Sequence, residues 1–536
     1  MIKVYNIPFD KVPFFSKRDK NYTCQPELFK DSISELPDLE GLKKQVLKKA
    51  HHQIDRSMLV NRLELQFSKL ESNPISQAQI IKLKDNKTFT ICTAHQPVLF
   101  GGPSYVIYKA ISAIKLAGIM KEHMPDYEFV PVFVLGDEDH DFEEINHTTV
   151  NDQLIEWPET KGKGSVGHYP TSEIIPILKE MKSLLPKNEP GEQWWDKLHT
   201  VYTKHFSFGL ATQELLHGLL SEQGMLVIRL DDPKFKESFI PSMVEEVEAR
   251  VSESLINKTL ETLKEAGYKP QAKPRPVNLF YRNENGRHRV RIGDDQYFFD
   301  DSGISLTKQE LVEKVKSEPS SFSPNVIMRP LFQESILPNI AYVGGGGEIA
   351  YWTERKTQFE HFGVPLPVFV RRDSAFIILG KAAQLFEELK LDVLECFLRI
   401  EDLIKIKLDE KIDHELHLRD YRNEIISKID QILETTSFKD QGIIRSMESE
   451  KTKILKSLNN IESKIRKGYS QNNIDFINKL REVHNHLFPG HKGVQERVNN
   501  ISEIYTLTDE NLISRLLETL NPLDRKVTVM LISDEE

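Results

Sequence analysis

Up to about residue 375, short β-branched and aromatic runs alternate with amphipathic stretches and with proline and glycine. Thr88-Phe89-Thr90-Ile91-Cys92-Thr93 predicts a strand. Over 104–118, Val106, Ile107, Ala110, Ile111, Ile114 and Ala117 recur at helical spacing, and Pro103 suits a helix start. Phe129-Val130-Pro131-Val132-Phe133-Val134-Leu135 is almost wholly apolar, the pattern of a strand covered on both faces. Strand, helix and strand together make the crossover unit of a parallel sheet, so this region reads as α/β. Met225-Leu226-Val227-Ile228-Arg229-Leu230 and Leu366-Pro367-Val368-Phe369-Val370 predict further strands. Asn283-Glu284-Asn285-Gly286 predicts a hairpin turn between Leu279-Phe280-Tyr281 and His288-Arg289-Val290-Arg291-Ile292. Segments 151–224 and 232–325 read as insertions added to the sheet.

The rhythm changes after about 376. Proline is absent to 487, and apolar residues take helical spacing: Ile454, Leu458, Ile461 and Ile465 form a heptad seam, matched by Leu418, Tyr421, Ile425, Ile429 and Ile432. Residues 435–442 supply a turn between them. Region 376–487 therefore predicts an antiparallel helical hairpin, with one broken helix as the alternative. A heptad seam of this kind favours association, and a homodimer is expected. Phe488-Pro489-Gly490 ends the helical region, and 488–536 finishes with Val527-Thr528-Val529-Met530-Leu531-Ile532, a strand expected to return to the sheet of the 1–375 core.

Composition narrows the function. At 536 residues the chain has room for several folding units, and a hydrophobic share of 39% allows a large core. A formal net charge of −10 argues against a nucleic-acid partner, which needs a basic face. Cys24, Cys92 and Cys396 are three, and far apart, so they make neither a disulfide framework nor a CxxC zinc site. No apolar run approaches the ~20 residues of a membrane span, and no signal-peptide pattern opens the chain; no membrane partner and a cytoplasmic location are the expectation.

Three motifs carry candidate chemistry. After the first strand, Thr93-Ala94-His95-Gln96 leads to Gly101-Gly102-Pro103-Ser104-Tyr105. Ligands of open α/β sheets bind outside the carboxyl ends of strands, and a glycine pair before a helix lets backbone N–H groups approach an anion. An ordinary loop with a buried histidine is the alternative. At the end of the apolar strand stands Gly136-Asp137-Glu138-Asp139-His140-Asp141. So much charge against a buried strand needs partners. It offers acid/base groups or an ammonium site; a divalent metal site is the alternative, although the spacing matches no zinc motif and no metal is assigned. Val343-Gly344-Gly345-Gly346-Gly347-Glu348-Ile349-Ala350-Tyr351-Trp352 opens a helix with four glycines, which favours close backbone approach to a ligand facing Glu348 and Tyr351. Upstream, Arg329 and Gln333 offer an anion contact, and His491 with Arg497 forms a last polar cluster. The strand ends and the glycine run are expected to converge on one pocket lined by His95, Asp139, His140 and Glu348.

These strings, with Glu144-Ile145-Asn146-His147, Arg329-Pro330-Leu331 and Gln495-Glu496-Arg497 with Asn500, resemble the BshC family, the cysteine ligases of bacillithiol biosynthesis, in order from about residue 90 to the C-terminus. Ala94 stands where the family pattern has Gly, His95 where it often has Gln, and Gly346 where it has Pro. The resemblance implies a Rossmann-like core with connecting insertions, a helical coiled coil, a dimer, and ligation of the cysteine carboxyl to the amine of glucosaminyl-malate. Likeness of the core to nucleotidyltransferases implies a nucleotide, ATP or ADP, and leaves the activating cosubstrate open. The implied site gathers His95, Asp139 and His140 as catalytic groups, with Gln96, Gly101, Gly102, Tyr105, Asp137, Asn146, Arg329, Gln333, Gly345, Gly347, Glu348 and Tyr351 around the substrates. In that scheme N–H groups near Gly101 and Gly102, with His95, stabilise developing charge. Asp139 or His140 takes the amine proton. Arg329 binds a malyl carboxylate. Two rivals differ in class. A metal-dependent hydrolase would use Asp137, Asp139 and His140. A non-catalytic scaffold would leave the loop motifs far apart and lining no pocket.

Overall fold

The computed structural model describes residues 2–533 except 161–163, 285, 294–295, 436–440, 492 and 509–511. The chain forms two compact units. One holds Val4–Phe376 and the C-terminal segment ending at Met530; the other is built on Ile377–His491.

The first unit is organised by a parallel sheet of five strands: β1 Thr88–His95, β2 Glu128–Leu135, β3 Leu226–Arg229, β4 Asn339–Gly344 and β5 Val368–Arg371, in the order β5-β4-β1-β2-β3. β1 and β2 pair over eight residues, from Thr88 opposite Glu128 to His95 opposite Leu135. The helix α1, Ser104–His123, connects them. Seven of the eight residues of β2 are buried, as its unbroken apolar run requires. Because all neighbours are parallel, His95, Leu135, Arg229, Gly344 and Arg371 end at one edge.

β4 lies beside β1 and has no counterpart in the strands read from the sequence. Its short run, Ile340-Ala341-Tyr342-Val343, is closed off by Pro338 and the glycines. The insertion after β3 folds into a five-stranded antiparallel sheet. Its strands Leu279–Asn283 and Gly286–Ile292 form the hairpin read at 283–286, with Asn285 itself outside the described residues. The C-terminal strand, Lys526–Ile532, joins a different sheet from the one expected. It is the central strand of a three-stranded sheet with Ile2–Pro8 and Ser374–Leu379. An apolar alternation marks a strand but not its neighbours. After β4, the helix α2, Gly346–Trp352, begins at the glycine run.

In the second unit, α3 Ile400–Leu416 and α4 Leu418–Thr435 meet at His417, whose φ of 52° breaks the rod. They run against α5 Gln441–Asn472 and α6 Ile474–Leu487. Arg422 pairs with Glu462, and Lys451 with Asp430, so α4 and α5 are antiparallel. The turn read at 435–442 falls largely on residues 436–440, outside the described ones. No helix among the described residues is long and apolar enough to cross a membrane.

Candidate active site

A cavity of about 670 Å3 opens at the carboxyl edge of the parallel sheet. Strand ends supply His95, Asp137, Asp139 and His140; α2 supplies Glu348 and Tyr351; the antiparallel insertion supplies Lys273, Arg275, Arg287 and Arg289.

A chain of hydrogen bonds runs through its floor. The imidazole of His95 contacts the Gln96 carbonyl through Nδ1 at 3.0 Å and the Tyr105 hydroxyl through Nε2 at 2.6 Å. A carbonyl only accepts, so Nδ1 carries the proton and Nε2 accepts from Tyr105. Burial, reinforced by the charge of Lys109, holds His95 down at about 4, so the ring is neutral at pH 7. Burial and Glu348 push the Tyr105 phenol up to about 12. Lys109 reaches the strand end from α1, fully buried. It donates to the Ala94 carbonyl and to Glu348 at 2.8 Å. Glu348 also accepts from the Tyr342 hydroxyl at 2.8 Å and from the Gly345 N–H at 3.0 Å. Burial alone would raise this carboxyl, but Lys109 and these donors hold it down at about 2. Behind Tyr105 lies the guanidinium of Arg372, 5.2 Å from the ring centre and paired with buried Glu496 at 2.8 and 3.0 Å.

The acidic loop is neutralised one carboxylate at a time. Asp137 takes Arg229, Glu138 takes Lys236, and Asp139 lies 3.7 Å from Arg287. Arg287 also donates to His140 Nδ1 at 3.0 Å and stacks on Phe280 with 3.9 Å to the ring centre. Burial pushes the Asp139 carboxyl up, but hydrogen bonding from His140 and the charge of Arg287 outweigh it and hold it at about 2. So low a value makes Asp139 an acceptor of positive charge and a poor acceptor of protons at neutral pH.

Of the residues read from the sequence, His95, Gln96, Tyr105, Asp137, Asp139, His140, Arg329, Glu348 and Tyr351 line this cavity. Gly101, Gly102, Asn146, Gln333, Gly345 and Gly347 do not. Gly101 and Gly102 have φ of 86° and 72° and turn the chain there; the Gly102 N–H goes to the Leu99 carbonyl at 2.9 Å. The Asn146 side chain turns to His147, and Gln333 is buried beneath Arg329, accepting from it at 3.3 Å. The Gly345 N–H is spent on Glu348, and nothing lies within 4 Å of the open face of Gly347. Close approach to the glycine run is made by the chain's own Asp19, which packs on Gly346.

Sequence reasoning picked out Arg329 but missed the rest of the basic wall, Lys273, Arg275, Arg287 and Arg289. Lys273, Arg275, Arg289 and Arg329 face the cavity with no carboxylate at ion-pair distance among the described residues. The signal was present in Lys273-Pro274-Arg275 and in arginines at 287, 289 and 291, which alternate along one strand and so share a face.

A second cavity, of about 600 Å3, shares His95, Tyr105 and Glu144 with the first and adds His147, Glu156 and Arg497. The His491 side chain lies outside the described residues.

Residues 3–373 match the family described as "Bacillithiol biosynthesis BshC, N-terminal Rossmann-like domain", and 375–532 match its "C-terminal coiled-coil domain". A relative from Christiangramia forsetii, named "Putative cysteine ligase BshC", is 32% identical over 99% of both chains. Relatives of the same name from Flavobacterium johnsoniae and Flavobacterium psychrophilum are 33% and 32% identical, covering 98% and 96% of this chain and 99% and 97% of theirs. Motif order, sheet, coiled coil and full-length similarity agree: the chain belongs to the BshC family of bacillithiol biosynthesis.

Proposed function

We propose that this protein is a cytoplasmic cysteine ligase that joins the carboxyl of cysteine to the amine of glucosaminyl-malate, forming bacillithiol. The observation that carries this reading is the polarity of the cavity. Carboxylates at the strand ends face a wall of cations, of which Lys273, Arg275, Arg289 and Arg329 have no carboxylate partner among the described residues. An acceptor with an ammonium at one end and a dicarboxylate at the other matches both walls at once. Arg329, held by the Tyr351 hydroxyl at 3.0 Å, takes a malyl carboxylate, and the insertion cations take the other. Asp139 holds the incoming ammonium, and His140, propped by Arg287, closes that end. His95 positions the Tyr105 hydroxyl at the cavity wall; with both its ring nitrogens engaged, it is not itself an oxyanion donor.

A free carboxylate is a poor acyl donor, so cysteine needs activation as an acyl phosphate or adenylate, for which the nucleotide implied by the family resemblance, ATP, is the proposed donor. The loop motifs share one cavity, which supports an enzyme over a scaffold. Arginine pairing of Asp137 and of Asp139 with His140 favours a positioned loop over a shared metal site. The apolar stripe of the coiled coil supports a homodimer.

Asp139→Asn tests the reading. In cells whose only copy is this variant, glucosaminyl-malate should accumulate and bacillithiol fall about a hundredfold, the effect of losing roughly 3 kcal/mol in the transition state. The melting temperature should stay near that of the unaltered protein. Normal bacillithiol with a folded variant would remove Asp139 from the site.

A further inference from the structure

We propose that Glu144 is the group that takes the proton from the attacking ammonium, an inference that rests on the ligase reading above. Glu144 stands where the two cavities meet, lining both together with His95 and Tyr105. Of the carboxylates lining the first cavity, Asp137, Glu138, Asp139 and Glu348 each have an arginine or lysine partner. Glu144 has none among the described residues. Its hydrogen-bond partner among the described residues is neutral: the Gln96 amide donates to one carboxylate oxygen. A carboxylate tied to a guanidinium or ammonium is a weak base, because accepting a proton costs it the ion pair; one held only by an amide keeps its basicity. Although Glu144 is exposed, partial desolvation and the nearby charges of Asp141 and Asp139 raise its carboxyl further, against the pull of Gln96.

The step balances simply. The ammonium gives one proton to the Glu144 carboxylate, leaving a neutral amine and a carboxylic acid. The nitrogen lone pair then forms the C–N bond to the activated cysteine carbonyl, an acyl phosphate or acyl adenylate. The carbon–oxygen bond to the phosphoryl group breaks, its electron pair leaves with that oxygen, and the nitrogen gives its second proton to the departing phosphate or nucleotide, leaving the neutral amide. The titratable and charged groups around Glu144 are Asp139 and Asp141 on its own loop, His95 from β1, Tyr105 from α1, His147 and Glu156 from the antiparallel strands His147–Val150 and Gln153–Glu156 that follow the loop, and Arg497 from the C-terminal segment.

Glu144→Gln keeps the shape and the Gln96 neighbour but cannot accept a proton. With cysteine, glucosaminyl-malate and ATP, its kcat at neutral pH should fall about a hundredfold with KM little changed. The deficit should shrink as pH rises past the point where the amine loses its proton to solvent. Glu144→Asp, which keeps the carboxylate, should recover part of the rate. An unchanged kcat, or a deficit equal at every pH and unrelieved in Glu144→Asp, overturns the role. If the unaltered enzyme forms no amide under these conditions, the ligase reading fails, and the inference falls with it.

Discussion

His95 is neutral because it is buried and the charge of Lys109 lies nearby, which together outweigh its hydrogen bond to the Gln96 carbonyl. That makes it a source of pH-dependent stability. The unfolded imidazole titrates near 6.5 and the folded one at about 4, so between these values the unfolded chain binds a proton that the folded chain refuses. The contribution is fully present above the unfolded value and is lost as pH falls through the folded one. We expect stability against urea to drop by up to about 3 kcal/mol over that window, and His95→Gln, the residue common in the family pattern, to lose this component. Unfolding curves of both proteins across pH 7 to 4 check this; parallel curves would place the ring in a more open setting. His95 could be picked out from the sequence because it ends an apolar strand. Its electrostatic setting could not: Glu348, the partner of Lys109, is 239 residues further on, and only the sheet order brings them together.

Elements were readable where their pattern was long. β1, α1 and β2 each carry six or more residues of consistent periodicity, and all three stand where the pattern put them. β4 was lost because four apolar residues between a proline and a glycine run look like part of a loop. The glycine run shows the same limit. Its composition called for close approach, but the approaching group is Asp19, from a helix about 330 residues earlier in the chain. This gives a paired prediction. A Cβ on Gly346 would fall on the Asp19 carboxylate, which Arg371 holds through hydrogen bonds of 3.0 and 3.3 Å and does not release freely. Gly346→Ala should therefore destabilise by about 1–3 kcal/mol. Gly347, one residue on, faces open space in the first turn of α2, so Gly347→Ala should be neutral or gain up to about 1 kcal/mol from helix propensity. Denaturant midpoints of the two variants decide this: equal losses would mean the run is needed for flexibility along its length and not for one packing contact.

At the scale of the whole molecule the open matter is assembly. The two heptad patterns of the helical unit are only partly consumed within it. Leu458 and Ile465 on α5 and Ile429 on α4 are half-buried, whereas Tyr421, Ile425, Ile454 and Ile461 stay exposed, at 58%, 40%, 41% and 54%. α4 contains no fully buried residue. Two antiparallel helices have one seam between them, and a second apolar stripe at heptad spacing remains over. Charges of both signs flank the stripe, three basic and four acidic on α4 and seven basic and three acidic on α5, and some pair between the two helices, as Arg422–Glu462 and Lys451–Asp430 do. A second copy of the same stripe is the simplest cover, and a twofold contact uses one patch twice. Sedimentation at micromolar protein should give twice the chain mass of 62.0 kDa. Ile454→Lys with Ile461→Lys places like charges on the stripe of both copies and should return the protein to single chains. Both positions are exposed in the single chain, so the helical signal should survive the change. A mass of 62.0 kDa for the unaltered protein would leave the stripe free to serve another partner, and loss of helicity in the double variant would mean the stripe is needed for the hairpin itself.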